Sequence, residues 1–196
     1  MSLAGRIVSS DAGSLCYGSG MLDTGCCLGN ARGKRLMLLG IVSDTHGHAA
    51  NTLDAVRMLE QFDIEAVLHC GDIGSREIPE LFADWPTHFV FGNVDRDEPV
   101  LRLAIEAAGQ KCHERYGELE LDGRQVAFLH GDDPRRLKTA VDSGDFDLVC
   151  YGHTHKPDQR QIGRTLLLNP GAIYRANPHS VAVVDLTTMD VTLLPF

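Results

Sequence analysis

From position 36 onward, short apolar runs alternate with amphipathic stretches. Leu36–Ser43 is apolar through its centre, as expected of a strand covered on both faces. Ala49–Phe62 carries Leu53, Val56, Leu59 and Phe62 at helical spacing. Ala66–Cys70 predicts a second strand, Arg76–Ala83 a short helix and His88–Phe91 a third strand. Glu98–Ala108 reads as a helix through Val100, Leu101, Leu103, Ala104 and Ile105, with Gly109 placed to cap its C-terminus.

The pattern then changes to hairpins. Tyr116–Leu121 and Arg124–Leu129 flank Asp122-Gly123, a strong signal for a two-residue turn. Arg135–Val141 predicts a short helix, and Leu148–Tyr151, Thr165–Leu168, Ser180–Leu186 and Val191–Leu194 predict strands. Strand–helix units followed by antiparallel strands imply an α/β domain with two packed mixed β-sheets flanked by helices. No internal repeat is visible.

Residues 1–35 break this pattern. Seven glycines, several serines and three of the six cysteines fall there without lasting periodicity. We expect a flexible tail over 1–35 and a folded domain over 36–196, with Met37 a candidate native start. No apolar run is long enough to span a bilayer, and no apolar segment follows a basic N-terminus as in a signal peptide. The expected location is therefore cytoplasmic, with no membrane partner.

Charge narrows the partners. The net formal charge is -9; residues 1–36 hold four basic and two acidic side chains, a net +2, which leaves -11 on the rest. Such a body repels a long phosphate backbone, so long nucleic acids are not the expected ligand. A small phosphate ester remains open, because bound cations reverse the local sign. The cysteines show no metal-binding spacing, and Cys70 and Cys150 sit inside apolar runs as small buried groups.

The candidate chemistry lies at the ends of the predicted strands. There the chain reads Asp44-Thr45-His46, Gly71-Asp72, Gly92-Asn93, His130-Gly131 and Gly152-His153-Thr154-His155. Strand ends gather at one rim of a sheet, where sites of α/β folds form. Seven oxygen and imidazole ligands (Asp44, His46, Asp72, Asn93, His130, His153 and His155) suffice for two divalent ions. Asp72 is the natural bridge, since one carboxylate offers an oxygen to each ion. Without thiolates, the donors suit Mn, Ni, Fe or Zn, with Mn the expected metal. Two carboxylates against two dications leave a positive surplus that would bind phosphate and acidify a bridging water.

This ordered set resembles the calcineurin-like metallophosphoesterases. Ser43-Asp44-Thr45-His46-Gly47 and Asn169-Pro170-Gly171-Ala172 are similar to their small YfcE-like bacterial and archaeal phosphodiesterase branch. The resemblance covers 37–196. It implies one ion held by Asp44, His46, Asp72 and His155, a second by Asp72, Asn93, His130 and His153, and attack on phosphorus by a metal-bridging hydroxide. The implied activity is that of a binuclear metal-dependent phosphoesterase, most naturally a phosphodiesterase. The alternative is a non-catalytic protein-interaction scaffold of the same fold, as in the related retromer subunit. Homo-oligomers occur in the family and are an expectation here.

One position departs from the family pattern. Many relatives read Gly-Asn-His-Asp where this chain has Gly92-Asn93-Val94-Asp95. Valine transfers no proton, so a bias toward good leaving groups is expected, with Asp95 a candidate for orienting water or supporting a ligand. Arg96 and Arg175 are candidate phosphate contacts beside Asn93. His69 and His88 read as packed strand residues, and Asn169-Pro170-Gly171 as a tight turn; His48, close to the site in sequence, is a candidate to face substrate, with a surface loop the preferred reading.

Overall fold

The computed structural model describes residues 37–196. The expected tail over 1–35 lies outside the described residues.

Eleven strands and three α-helices make up this region. In chain order they are β1 (Leu38–Val42), α1 (Ala49–Leu59), β2 (Ile64–His69), β3 (Thr87–Phe89), α2 (Glu98–Ala107), β4 (Lys111–Cys112), β5 (Tyr116–Leu121) and β6 (Arg124–Leu129). There follow α3 (Pro134–Asp142), β7 (Leu148–Cys150), β8 (Asp158–Ile162), β9 (Thr165–Asn169), β10 (Ser180–Asp185) and β11 (Asp190–Pro195).

The strands form two mixed sheets. One has the order β11-β10-β1-β2-β3-β4, with β1 to β4 parallel; the other has the order β5-β6-β7-β9-β8, with β6, β7 and β9 parallel. Strand alternation separates the core into layers. Leu39, Ile41 and Leu68 of the first sheet meet Val126, Phe128 and Leu166 of the second in a cluster between the sheets. Val42, Val67 and Phe89 point the other way, under Val56 and Leu59 of α1 and Leu101 and Ile105 of α2. Ala127, Leu129 and Val149 face outward from the second sheet, under Ala140 and Val141 of α3.

Local signals explain the boundaries. Asp97 caps α2 by accepting from the Val100 N–H, and Asp133 caps α3 by accepting from Arg135 and Arg136, with a proline in each first turn. Asp122 and Gly123 both have positive φ (49° and 75°), as a two-residue turn between β5 and β6 requires.

Three differences from the sequence reading have physical causes. The helix expected over Arg76–Ala83 is a single 3-10 turn at Pro79–Phe82. Pro79 has no N–H to carry a helix through from Arg76. The strand β4 is two residues long, and β8 (Asp-Gln-Arg-Gln-Ile) is a mostly exposed edge, so neither has an apolar signal. The chain reverses into β2 directly after Phe62, and α1 ends at Leu59.

Parallel strands place their C-terminal ends on one side. The loops after β1, β2, β3, β6 and β7 hold Asp44, Asp72, Asn93, His130 and His153 in turn.

Candidate metal centre

The first ligand loop is laced to the second by main-chain hydrogen bonds. The N–H groups of Asp44, His46 and Gly47 donate to the carbonyls of Gly71, Asp72 and Ile73 at 3.0, 2.9 and 2.8 Å. The Thr45 hydroxyl donates to Ile73 O at 3.0 Å and lies 3.0 Å from Nε2 of the buried His69. Burial pushes the His69 pKa down to about 3, so this histidine is a neutral packed residue. The third contact comes from the other sheet, where the His153 N–H donates to Asp44 Oδ2 at 3.1 Å.

Backbone strain concentrates here. Asp44 (φ 58°), His46 (46°), Asp72 (55°), His153 (67°) and His155 (58°) all occupy the left-handed region. Each such residue costs on the order of 1–3 kcal/mol, and clusters of them mark functional sites. Two glycines let the loops close. A Cβ on Gly92 would strike the Asp72 carboxylate, and one on Gly152 would strike Ser43 Oγ.

Seven candidate ligands thus come together, and Asp72 lies between two groups of donors. Its Oδ1 is 3.3 Å from His130 Nε2, and its Oδ2 is 3.7 Å from His46 Nε2. On the His46 side, His155 Nε2 lies 3.3 Å from His46 Nε2 and 3.1 Å from Asp44 Oδ1. On the other side, Asn93 Oδ1 is 3.1 Å from His130 Nε2, and the His130 and His153 rings are 5.1 Å apart. Asp44, His46 and His155 form one compact donor group, and Asp44, Asp72 and His130 form another. Asp44 therefore faces both groups, which extends the sharing expected of Asp72 alone.

Hydrogen bonding assigns the ring tautomers. Nδ1 of His130 is 2.8 Å from the Cys70 carbonyl, and Nδ1 of His155 is 3.3 Å from the Arg175 carbonyl. A carbonyl only accepts, so both Nδ1 atoms carry a proton, and both Nε2 atoms, the ones left to bind a cation, point inward. The buried Asp44 Oδ1 has no hydrogen-bond partner. Imidazole Nε2 atoms and carboxylate oxygens converging on one space, one of those oxygens orphaned, are what a divalent cation satisfies.

The charge states of the metal-free site follow from the same crowding. Burial pushes the Asp44 carboxyl up, against the pull of His130. For Asp72, burial also raises the pKa, but the hydrogen bond and charge of His130 outweigh it and hold the carboxyl below its usual range. His130 responds in kind. Burial opposes its positive charge, yet Asp72 and Asp44 hold its pKa above the ordinary value. His46 is lowered by burial, only partly offset by Asp72 and Asp44.

Asp95 lies behind the candidate ligands. Its buried carboxylate accepts from Ile73 (3.1 Å), Gly74 (2.8 Å) and Gly92 (2.8 Å), joining the loop after β2 to the loop after β3. Burial raises its pKa against those three bonds. The Val94 N–H donates to Asp72 Oδ1 at 3.0 Å. Arg96 is exposed and lines a flanking cavity of about 380 Å³ with Gly74–Glu77, a cavity that none of the seven candidate ligands lines. Arg175 stands at the His155 rim.

Two residues carry more than the sequence suggests. His48, expected on a surface loop, is half-buried and caps α1 by accepting the Asn51 N–H at 3.3 Å. Asn169 is more than part of a turn: its Nδ2 donates to Gly152 O at 2.8 Å and holds the His153–His155 loop. Tyr174 has no forewarning in the sequence beyond its place next to Arg175. Its ring stacks on His48 at 4.5 Å and lies 6.3 Å from His46.

The sequence model of the calcineurin-like phosphoesterase superfamily domain matches residues 37–189. The chain belongs to the calcineurin-like phosphoesterase superfamily. Membership makes it a metal-dependent phosphoesterase of the hydrolase class, and the YfcE-like branch supplies relatives. Phosphodiesterase MJ0936 of Methanocaldococcus jannaschii is 30% identical over 138 residues, which cover 69% of this chain and 83% of that protein. Phosphodiesterase YfcE of Escherichia coli is 26% identical over 181 residues, covering 81% and 93%. The solved structure of an archaeal phosphodiesterase matches with a TM-score of 0.76 at 26% identity, over 82% of this chain and 100% of that one. Among the described residues, no helix is long and apolar enough to cross a membrane.

Proposed function

We propose that this calcineurin-like phosphoesterase is a binuclear phosphodiesterase acting on small phosphate esters in the cytoplasm, with manganese as its working metal. The observation that carries this reading is the position of Asp72, one carboxylate oxygen toward His130 and the other toward His46. In this reading Asp44, His46, Asp72 and His155 hold one ion, and Asp72, Asn93, His130 and His153 hold the other. Divalent ions bound there would supply Lewis-acid activation of water and neutralise charge on the phosphoryl oxygens.

The chain's own groups divide the remaining work. The Cys70 and Arg175 carbonyls hold His130 and His155 with Nε2 facing inward. Asn93 turns Oδ1 toward His130, which leaves Nδ2 at the exposed rim to donate to a phosphoryl oxygen. Two carboxylates do not neutralise two dications, so the site attracts a phosphate although the chain carries -9 overall. A scaffold with no chemistry would have no need for inward-facing imidazole nitrogens or for left-handed backbone at five of seven donors.

The test uses chelator-stripped protein on bis-p-nitrophenyl phosphate and p-nitrophenyl phosphate, with Mn, Ni, Zn or Mg added back. The reading requires metal-restored turnover, faster on the diester, and its loss in Asp72→Ala. Two bound ions per chain without turnover of either probe would overturn it in favour of a scaffold.

A further inference from the structure

Tyr174 is placed as a binding surface rather than as core. It packs against none of the three apolar clusters, and its ring neighbours are His46, His48 and the Arg175 guanidinium, all on the rim of the metal centre. The ring is half-buried, stacked within 10° of parallel on His48, with Arg175 Cζ 5.7 Å from its centroid.

The main chain holds this group rigidly. The N–H groups of Ile173 and Tyr174 donate to the carbonyls of Ser43 and Asp44, each at 3.1 Å, in register with the first ligand loop. Asn51 Nδ2 ties Ile173 O from α1 at 3.0 Å. Arg175 then takes a left-handed backbone (φ 58°), and its carbonyl meets His155 Nδ1. The layers of imidazole, phenol and exposed guanidinium are thereby fixed beside the His46 and His155 donors. Flat π-faces and guanidinium planes are what stack on a planar ring, and a prefixed stack loses little entropy on binding.

We propose that the stack of His48, Tyr174 and Arg175 seats, on its outer guanidinium face, a planar aromatic arm of the phosphate ester, in the common biological case a nucleobase. This rests on the phosphodiesterase reading and deepens it: the substrate class is a nucleoside phosphate ester rather than an alkyl one. The arm stacks at the His46 rim while the phosphoryl group lies over the metal centre. The stack binds the part of the substrate that does not react, with Tyr174 as the layer that holds the guanidinium plane, so it acts on affinity and not on the chemical step.

The experiment titrates the metal-loaded full chain calorimetrically with thymidine 5′-phosphate and with 2-deoxyribose 5-phosphate, which carries an anomeric hydroxyl in place of the base. Wild type, Tyr174→Ala and Tyr174→Phe are compared, and turnover of bis-p-nitrophenyl phosphate is followed on the same preparations. We expect the wild type to favour the nucleotide by about tenfold or more. Tyr174→Ala should erase that preference without changing affinity for the sugar phosphate or the metal content, and Tyr174→Phe should keep it. Equal wild-type affinity for the two ligands, or no binding of either, would overturn the proposal. A preference surviving in Tyr174→Ala, or weakening of both ligands alike, would do the same; the latter would make Tyr174 a positioning residue for the ligand loop. Turnover without base preference would retire the aromatic seat alone, and base preference without turnover would retire the hydrolytic reading alone.

Discussion

The main-chain carbonyl of Cys70 accepts the Nδ1–H of His130 at 2.8 Å and so fixes which nitrogen of that ring faces Asp72 and Asn93. A buried strand end therefore sets the tautomer of a candidate ligand in the opposite sheet. Replacing a group that only orients a metal ligand typically costs 10–100-fold, so removing the ligand itself should cost at least that. His130→Ala should lower diester turnover by about 100-fold or more. Elemental analysis should show fewer than two ions per chain, and retention of both ions would contradict the assignment.

Asp44 predicts a trade between stability and function. Its Oδ1 is buried without a partner, crowded by Asp72, and its carboxyl is pushed up by burial. In metal-free protein, Asp44→Asn should melt no lower than wild type, because a costly buried charge is gone. Wild type should gain about 2.7 kcal/mol from metal at a hundred times Kd, and the variant should gain markedly less. Thermal melts with and without added metal decide this. An equal metal-induced shift in both proteins would remove Asp44 from the ligand set.

Asp95 acts through the backbone. Its two oxygens accept three N–H groups from two loops, more than a single amide oxygen serves well. Asp95→Asn should leave at least one buried N–H facing an amide NH2, a loss of about 1–3 kcal/mol. Because those loops carry Asp72 and Asn93, metal affinity should fall by about 10–100-fold as well. Denaturation curves and metal titration should move together; a stability loss with unchanged metal affinity would confine Asp95 to the scaffold.

Val94 bears on the leaving group. Its N–H serves Asp72, and its side chain has no proton to give. Aryl phosphodiesters, whose phenolate departs without protonation, should turn over far faster than matched dialkyl esters. Comparable rates for the two would show that another group supplies the proton.

The gathering of the candidate-ligand loops at one rim was legible in the sequence, because each pairs an apolar strand with a short polar signature and parallel strand ends meet on one side. The two-layered sheet core was legible because apolar runs such as Leu38–Val42 and residues 126–129 are continuous and need cover on both faces. Polar edge strands such as Asp158–Ile162 were not, since they are held by main-chain pairing to Thr165–Asn169 and bury little. The stack of His48 on Tyr174 was also hidden, although His48 stood close to the site in sequence. The two residues are 126 positions apart and meet only because Ile173 and Tyr174 pair with the main chain of Ser43 and Asp44. A stack between distant aromatics leaves no periodicity to read.

Away from the site, the His88–His113 pair makes the fold acid-sensitive. His88 Nδ1 lies 2.8 Å from His113 Nε2, and both rings pack near Phe128. Burial, then the neighbouring His113 and Lys111, push the His88 pKa down to about 4; His113 is lowered too, by burial and Lys111. The unfolded chain, with histidine near 6.5, binds more protons than the native state between about pH 6.5 and 4. Stability from this pair is therefore complete above pH 6.5 and declines as pH falls through that window. His88→Phe keeps a flat ring in the same place and removes one titrating group. Urea midpoints measured from pH 7 to 4.5 should fall less steeply for His88→Phe than for wild type. Parallel curves would assign the acid sensitivity to other groups.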